Sequence, residues 1–244
     1  MKVIKYFEEF LNTVGAFSST KECGNLSFKW TGPNVVKNRD NLFDSLGLDL
    51  NELVAVSQPH GNEVLIADSS VSGRGSRSND WIDGYDGLVA KNKNIILAVE
   101  SADCVPVFAF DPEQEIIGIV HAGWQGVVGG AVKSLIDKMK ELGSKVKDIR
   151  VAVGPHIQSC CFEVKNDILE RFNQWPDSIV KKEEKFYVDL SKIIVSQLTN
   201  LDVLRQYINI EQKCTCCDAV KFYSYRRDKQ KCDGGMLSFI KLKK

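Results

Sequence analysis

The stretch I-I-L-A-V-E-S-A-D-C-V-P-V-F-A-F-D-P-E-Q-E-I-I-G-I-V-H-A-G-W-Q-G-V-V-G-G-A-V-K-S-L-I-D-K-M-K-E-L, residues 95–142, decides the fold. Its apolar runs at 95–99, 105–110 and 116–120 have the length and β-branched content of strands, with Asp111-Pro112 as the turn between the last two. The period then changes. Val127, Val128, Ala131, Leu135, Ile136, Met139 and Leu142 recur at helical spacing and Gly143 follows, which predicts a helix from about residue 126 to 142. Strands that lead straight into a helix mark a mixed fold, not an all-β one.

On the N-terminal side, 53–57 and 64–67 read as further strands, with Gly61-Asn62 as a turn between them. The polar run 69–84 reads as a long surface loop, because strand-like sequence resumes directly after it. On the C-terminal side, 149–153 reads as a strand, 163–172 and 189–204 as helices, the latter capped by Asp189, and 236–242 as a closing strand. Neither a repeat nor a shift in composition divides the chain. Residues 1–244 therefore read as one α/β domain of mixed α+β type.

The 244 residues are 43% hydrophobic and 26% charged, which supplies a sizeable core and excludes a disordered chain. With 32 basic and 32 acidic residues, no global field holds a polyanion, so no nucleic-acid partner is expected. Apolar runs such as 116–120 fall far short of the roughly 20 residues that span a bilayer, and residues 1–10 are charged, without a signal-peptide core. The expectation is a cytoplasmic protein with no membrane partner; oligomeric state is not legible. In this setting the eight cysteines read as reduced thiols and not as a disulfide framework.

Histidine is scarce, at His60, His121 and His156. Three segments each set a metal-competent side chain at a strand end: Q-P-H-G at 58–61, S-A-D-C-V-P at 101–106 and H-A-G-W-Q-G at 121–126. Two imidazoles and a thiolate, from His60, Cys104 and His121, suit a borderline-soft ion such as Zn2+ and leave a fourth position for water or substrate. Their separations match no short zinc-finger spacing, and a cysteine beside an apolar strand is usually just buried. Gly123 and Gly126 favour the site reading by allowing close approach of a ligand. Asp86 and Asp103 flank the trio and suit a supporting carboxylate or a general acid/base, although Asp before Gly is also a common turn former. The C-T-C-C run at 214–217, with Cys232 further on, lacks a nearby histidine and regular spacing, which favours inert structural thiols over a second metal site.

The motifs Q-P-H-G, D-G-L-V-A with A-D-C-V-P-V, H-A-G-W-Q-G, G-P-H-I-Q-S-C-C-F-E-V and Y-S-Y-R-R-D occur in this order between residues 24 and 240. In this the chain resembles the laccase-domain family, also called multicopper polyphenol oxidase-like and associated with purine nucleoside phosphorylase activity. The resemblance implies a four-layer sandwich with two sheets between helices, and zinc at His60, Cys104 and His121. It implies phosphorolysis of adenosine, inosine and S-methyl-5'-thioadenosine with a second, adenosine deaminase activity, so that purine nucleosides and phosphate are the expected partners. Cys104, His121 and Asp103 are then the expected catalytic residues.

Two cationic positions depart from the family pattern: Lys21 replaces a usual arginine, and K-C-D-G-G-M at 231–236 replaces a usual T-G-R. Phosphate contacts are therefore expected from Arg39 and Arg226, the latter beside Arg227, against the alternative of solvated surface arginines. His156 is expected either to touch substrate or to cap backbone in its turn. Three histidines cannot build a four-copper relay, which leaves polyphenol oxidation by copper (Cu2+) in the zinc site as a side reading. A metal-free rival pairs Cys104 with His121 as a hydrolase or deamidase nucleophile, as in the cytotoxic necrotizing factor toxins, and has no use for His60.

Overall fold

Alternation along the strands builds the layers. In a computed structural model describing residues 2–30 and 32–243, odd- and even-numbered apolar residues of each central strand face different cores. The five-stranded sheet runs in the order Val3–Tyr6, Val14–Ser19, Met236–Leu242, Ile96–Ser101, Leu53–Ala55. Its last pair is parallel and the others antiparallel. The six-stranded sheet runs Ile208–Ile210, Arg150–Val153, Val105–Asp111, Ile116–Ala122, Gly87–Ala90, Val64–Ile66, with both outer pairs parallel. Both sheets are therefore mixed.

Val54, Leu97, Val99 and Ile240 of the first sheet meet Leu88, Phe108, Phe110, Ile117 and Ile119 of the second in a core between the sheets. Outside the first sheet, Ile96, Ala98 and Phe239 pack on Leu42 and Phe43 of the helix Val35–Leu46. Outside the second, Val105, Val107, Val120 and Val151 pack on Leu135, Ile136 and Met139 of Ala131–Glu141 and on Ile193, Ile194 and Leu198 of Leu190–Asn200. Helix, sheet, sheet and helix make the four layers, as the family resemblance implies. Among the described residues no helix is long and apolar enough to cross a membrane.

Several elements depart from the sequence expectation. The helix expected over 126–142 is two helices, Trp124–Val128 and Ala131–Glu141, broken at Gly130, whose φ of 83° is left-handed. The region expected as one helix over 163–172 is a short strand, Glu163–Val164, followed by single turns at Asn166–Leu169 and Glu170–Phe172. Glu163–Val164 joins Lys185–Val188 and Ile179–Lys182 in a three-stranded sheet. The strand Met236–Leu242 falls where its alternation places it, and Asp189 caps its helix by accepting from the Lys192 amide at 3.0 Å.

Candidate metal and substrate site

Strand register assembles the trio. Val105 pairs with Ala122 and Pro106 with His121, which sets Cys104 beside the residues that follow His121. Gly87 pairs with Val120, so Asp86 lies next to His121, and the His121 amide donates to the Asp86 carbonyl at 2.8 Å. His60 arrives on the loop after Leu53–Ala55, its ring edge-on to that of His121 with centroids 4.9 Å apart. The donor atoms of His60, Cys104 and His121 all lie within 4.8 Å of one another, a span one ion with bonds of about 2.0–2.3 Å closes with small side-chain adjustments.

Asp86 organises the two imidazoles. It is fully buried, its Oδ1 accepts from His121 Nδ1 at 3.1 Å and from the His60 amide at 3.0 Å, and its Oδ2 accepts from the Gly61 amide at 2.7 Å. A carboxylate on Nδ1 fixes the His121 tautomer with the Nε2 lone pair toward the cleft, the arrangement that supports metal-bound histidines elsewhere. Burial works to raise the Asp86 pKa, but the His121 bond and the two amides outweigh it and hold the carboxyl below its usual range. Burial pushes His121 down to about 4, so its ring is neutral, and in the absence of a cation pushes the Cys104 thiol up to about 12.

Backbone strain concentrates here. Gln58, His60 and Asp103 are non-glycine residues with φ of 56°, 66° and 107°, a conformation costing about 1–3 kcal/mol each. His60 is held by its amide bond to Asp86, and the other two by several bonds. Gln58 exchanges two hydrogen bonds with the Glu100 backbone, at 2.7 and 2.9 Å. Asp103 accepts from Thr215 Oγ1 at 2.6 Å, Ser224 Oγ at 3.0 Å and the Arg226 amide at 2.6 Å. With both its oxygens engaged by protein donors, the Asp103 carboxylate, which also lines the hollow beside Cys104, ties the backbone that carries Cys104 to the segment 215–226.

The cleft above the donors has a volume of about 290 Å³ and is walled by Lys29, Trp30, Gln58, Glu100 and Tyr225. A second hollow of about 250 Å³ shares Ala102, Cys104 and Tyr225 with it and adds Phe162, Arg226 and Lys229. The ring of Tyr225, 48% exposed, stands 5.9 Å from that of Trp30. Lys29 is exposed, yet desolvation beside the cleft lowers its pKa, while Glu100, Cys104 and Asp86 act to raise it.

The structure corrects two expected contacts. Arg39 is 0% exposed. Its Nε donates to the Leu26 carbonyl at 2.8 Å, its Nη1 to Gly75 and Ser76 at 2.6 and 3.0 Å, and its Nη2 to Glu100 Oε1 at 2.6 Å. A guanidinium so placed braces Glu100 and the 69–84 loop from behind and does not reach the cleft, so neither a phosphate contact nor a solvated surface arginine describes it. His156, also 0% exposed, has Nδ1 on the Gly154 carbonyl and Nε2 on Ser191 Oγ, each at 2.7 Å, and touches no cleft residue through its ring nitrogens. Its Nδ1 caps the backbone of its own turn, one of the two roles expected for it, and Gln158 Nε2 lies 3.1 Å from its Nε2.

Arg226 does line the second hollow, while its Nη1 donates to the Cys161 and Glu163 carbonyls at 3.0 and 3.1 Å. Lys21 has its Nζ 5.0 Å from the centre of the Tyr223 ring. Sequence reasoning passed over Lys29, Trp30 and Glu100. The signal for Glu100 is a lone charge at the end of an apolar strand run, and for Lys29 a cation between two aromatics, Phe28 and Trp30. It also left unpaired Cys160, Cys161, Cys214 and Cys217, whose sulfurs all lie within 4.8 Å of one another.

The chain is similar to known proteins. The chain is 31% identical over 217 residues to "Purine nucleoside phosphorylase YlmD" of Bacillus subtilis (strain 168), covering 86% of this chain and 78% of that protein. It is 30% identical over 239 residues to "Adenosine deaminase RL5" of an unknown prokaryotic organism, covering 91% of each. The crystal structure of Bacillus licheniformis hypothetical protein YfiH superposes with a TM-score of 0.89 at 29% identity, covering 99% of this chain and 97% of the other. The sequence profile described as "Multi-copper polyphenol oxidoreductase laccase" matches residues 15–243, a span that includes His60, Cys104, His121 and every strand of the six-stranded sheet. By fold, motif order and sequence, the chain belongs to the multi-copper polyphenol oxidoreductase laccase family.

Proposed function

We propose that the protein is a zinc-dependent purine nucleoside phosphorylase, acting on adenosine, inosine and S-methyl-5'-thioadenosine, with adenosine deamination as a second activity. The observation that carries this reading is the convergence of His60, Cys104 and His121 at the base of a cleft that combines aromatic faces with cations. Two imidazoles and one thiol fit zinc, and three protein ligands leave one position toward substrate. When bound there, the ion supplies Lewis acidity to the purine end of the substrate.

The chain's own residues bind and orient. Trp30 and Tyr225 offer flat faces to a purine, and Lys29, Arg226 and Lys229 offer positive charge to phosphate. Glycosidic cleavage passes through an oxocarbenium-like state, so holding phosphate in line with the ribose is a large part of what these side chains contribute. Asp86 keeps His121 in one tautomer, and Asp103 holds the strained backbone that presents Cys104. The metal-free Cys–His reading gives no role to His60, whose backbone is strained and fixed by Asp86.

The test is product analysis from adenosine with zinc-loaded, copper-free protein. Adenine and ribose 1-phosphate are expected only with phosphate, and inosine with or without it, while phenolic dyes stay unoxidised. Failure to release base from any purine nucleoside at any phosphate concentration overturns the phosphorylase reading.

A further inference from the structure

Four cysteines outside the cleft meet from two distant segments. Cys217 Sγ lies 3.5 Å from Cys160 Sγ and 3.3 Å from Cys161 Sγ, and all four sulfurs, with Cys214, lie within 4.8 Å of one another. None is in a disulfide. A zinc ion with Zn–S bonds of about 2.3 Å separates tetrahedral sulfurs by about 3.8 Å, so this group surrounds the volume of a single ion.

Ordinary packing does not account for the gathering. A free cysteine usually buries itself as a small hydrophobe, yet Cys160 and Cys217 are exposed and Cys161 is half-buried. Cys214 and Cys217 have the C-x-x-C spacing of structural zinc sites. The Gln158 amide also donates to Cys214 Sγ at 3.4 Å, a bond that a thiolate accepts better than a thiol.

We propose that Cys160, Cys161, Cys214 and Cys217 bind one zinc ion in a closed tetrathiolate site, separate from the His60–Cys104–His121 trio. With four protein ligands there is no open position, so this ion is structural. It joins two loops that the backbone already brings together, where His156 bridges to Cys214 and the Thr215 amide donates to the His156 carbonyl at 3.1 Å. The adjacent arginines brace the same loops. Arg226 Nη1 donates to the carbonyls of Cys161 and Glu163, and Arg227 Nη1 to those of Thr215 and Cys216 at 2.9 and 3.2 Å. Since Thr215 holds Asp103, the ion secures the outer wall of the second hollow and the residue next to Cys104.

The test uses the full chain with the trio disabled by Cys104→Ala, loaded with zinc and dialysed against metal-free buffer. One zinc per chain is expected to remain, four thiols to be protected from a thiol reagent until a strong chelator is added, and Cys217→Ser in the same background to lose that zinc. Cobalt loaded into the Cys104→Ala protein should give the intense visible and thiolate charge-transfer bands of a tetrahedral thiolate site, a readout that needs no cluster variant to fold. The proposal is overturned if the Cys104→Ala protein retains no zinc and gives no such spectrum, if Cys217→Ser leaves zinc content unchanged, or if mass analysis of untreated protein finds a disulfide among the four. These outcomes do not depend on nucleoside turnover, so they stand apart from the fate of the phosphorylase reading.

Discussion

Gly123 lies so close to His60 that a Cβ on it would come within 2.8 Å of His60 Cδ2, and within 3.3 Å of Cys104 Sγ. Its φ of −63° and ψ of 167° suit any residue, so clearance and not backbone freedom keeps it glycine. Gly123→Ala should therefore leave stability nearly unchanged, the gain of up to about 1 kcal/mol from a less flexible unfolded chain being offset by displaced neighbours and a poorer helix N-cap. It should bind zinc at the trio at least about tenfold more weakly, because neither His60 nor Cys104 can stay in place. Competition with a chromophoric chelator checks this, and unchanged affinity would show that the two side chains move aside at no cost.

Arg39 and Glu100 form a buried ion pair at 2.6 Å, with Ser27 Oγ donating to the other Glu100 oxygen at 2.5 Å. Arg39→Ala strands a buried carboxylate and three carbonyls, and should cost about 3–5 kcal/mol in denaturant unfolding. Replacing both partners together, as Arg39→Met with Glu100→Gln, should cost less than Arg39→Ala alone. A loss below about 1 kcal/mol for Arg39→Ala would place the guanidinium in solvent and reopen its candidacy for phosphate.

On the proposed reading, Lys29 and Arg226, together with Lys229, are the cations that would hold phosphate. Removing a charge-assisted contact worth about 1.5–3 kcal/mol should raise the phosphate KM roughly 10- to 100-fold for Lys29→Ala or Arg226→Ala, with zinc retained at the trio. If both variants keep the wild-type phosphate KM, the anion is held elsewhere.

Burial pushes the His156 pKa below its ordinary value, and the Gly154 carbonyl's opposing pull does not restore it. The unfolded chain therefore takes up this proton first as pH falls. The stability contributed by neutral His156 is complete above about pH 6.5 and is lost below it, at up to about 1.4 kcal/mol per pH unit, until the folded-state pKa is reached. His156→Gln should unfold more easily at pH 7 and show a shallower decline between pH 6.5 and 5 than the parent. Parallel slopes in the two proteins would mean that His156 protonates within the fold.

What could be read in advance follows from what is local. The strands at 105–111, 116–122 and 236–242 declare themselves because they are buried on both faces and bounded by turns, and Cys104 and His121 do so because each sits at an end of such a strand, whereas His60 is marked only by its Q-P-H-G turn. The break at Gly130 escapes a periodicity argument, because the apolar spacing continues across it. The helix Val35–Leu46 escapes too: its N-cap residue Asn34 adopts φ 65° without a side-chain cap, and one of its two fully buried large side chains, beside Phe43, is an arginine, the reverse of the usual signal. Arg39 reads from the sequence as a phosphate contact or a solvated arginine because its four acceptors come from residues 26, 75, 76 and 100 and exist only once the chain is folded. The four clustered cysteines were illegible for the same reason, with Cys160 and Cys217 57 positions apart.

The place of Met236–Leu242 between Val14–Ser19 and Ile96–Ser101 has a consequence for biosynthesis. Ser18 and Ser238, whose hydroxyls meet at 2.8 Å, are 220 residues apart in the chain. At about 5–20 residues per second, the ribosome takes roughly 10–45 s to deliver the second after the first. Once Ile96–Ser101 is made and until Met236–Leu242 follows, the two neighbouring strands lack the partner that lies between them in the sheet, and Ser101, which pairs with Met236, cannot yet take its place in the cleft wall. Pairing of those edges with each other or with another chain would compete with insertion of Met236–Leu242, so a message truncated before codon 236 should yield an aggregating product, not a weakened enzyme.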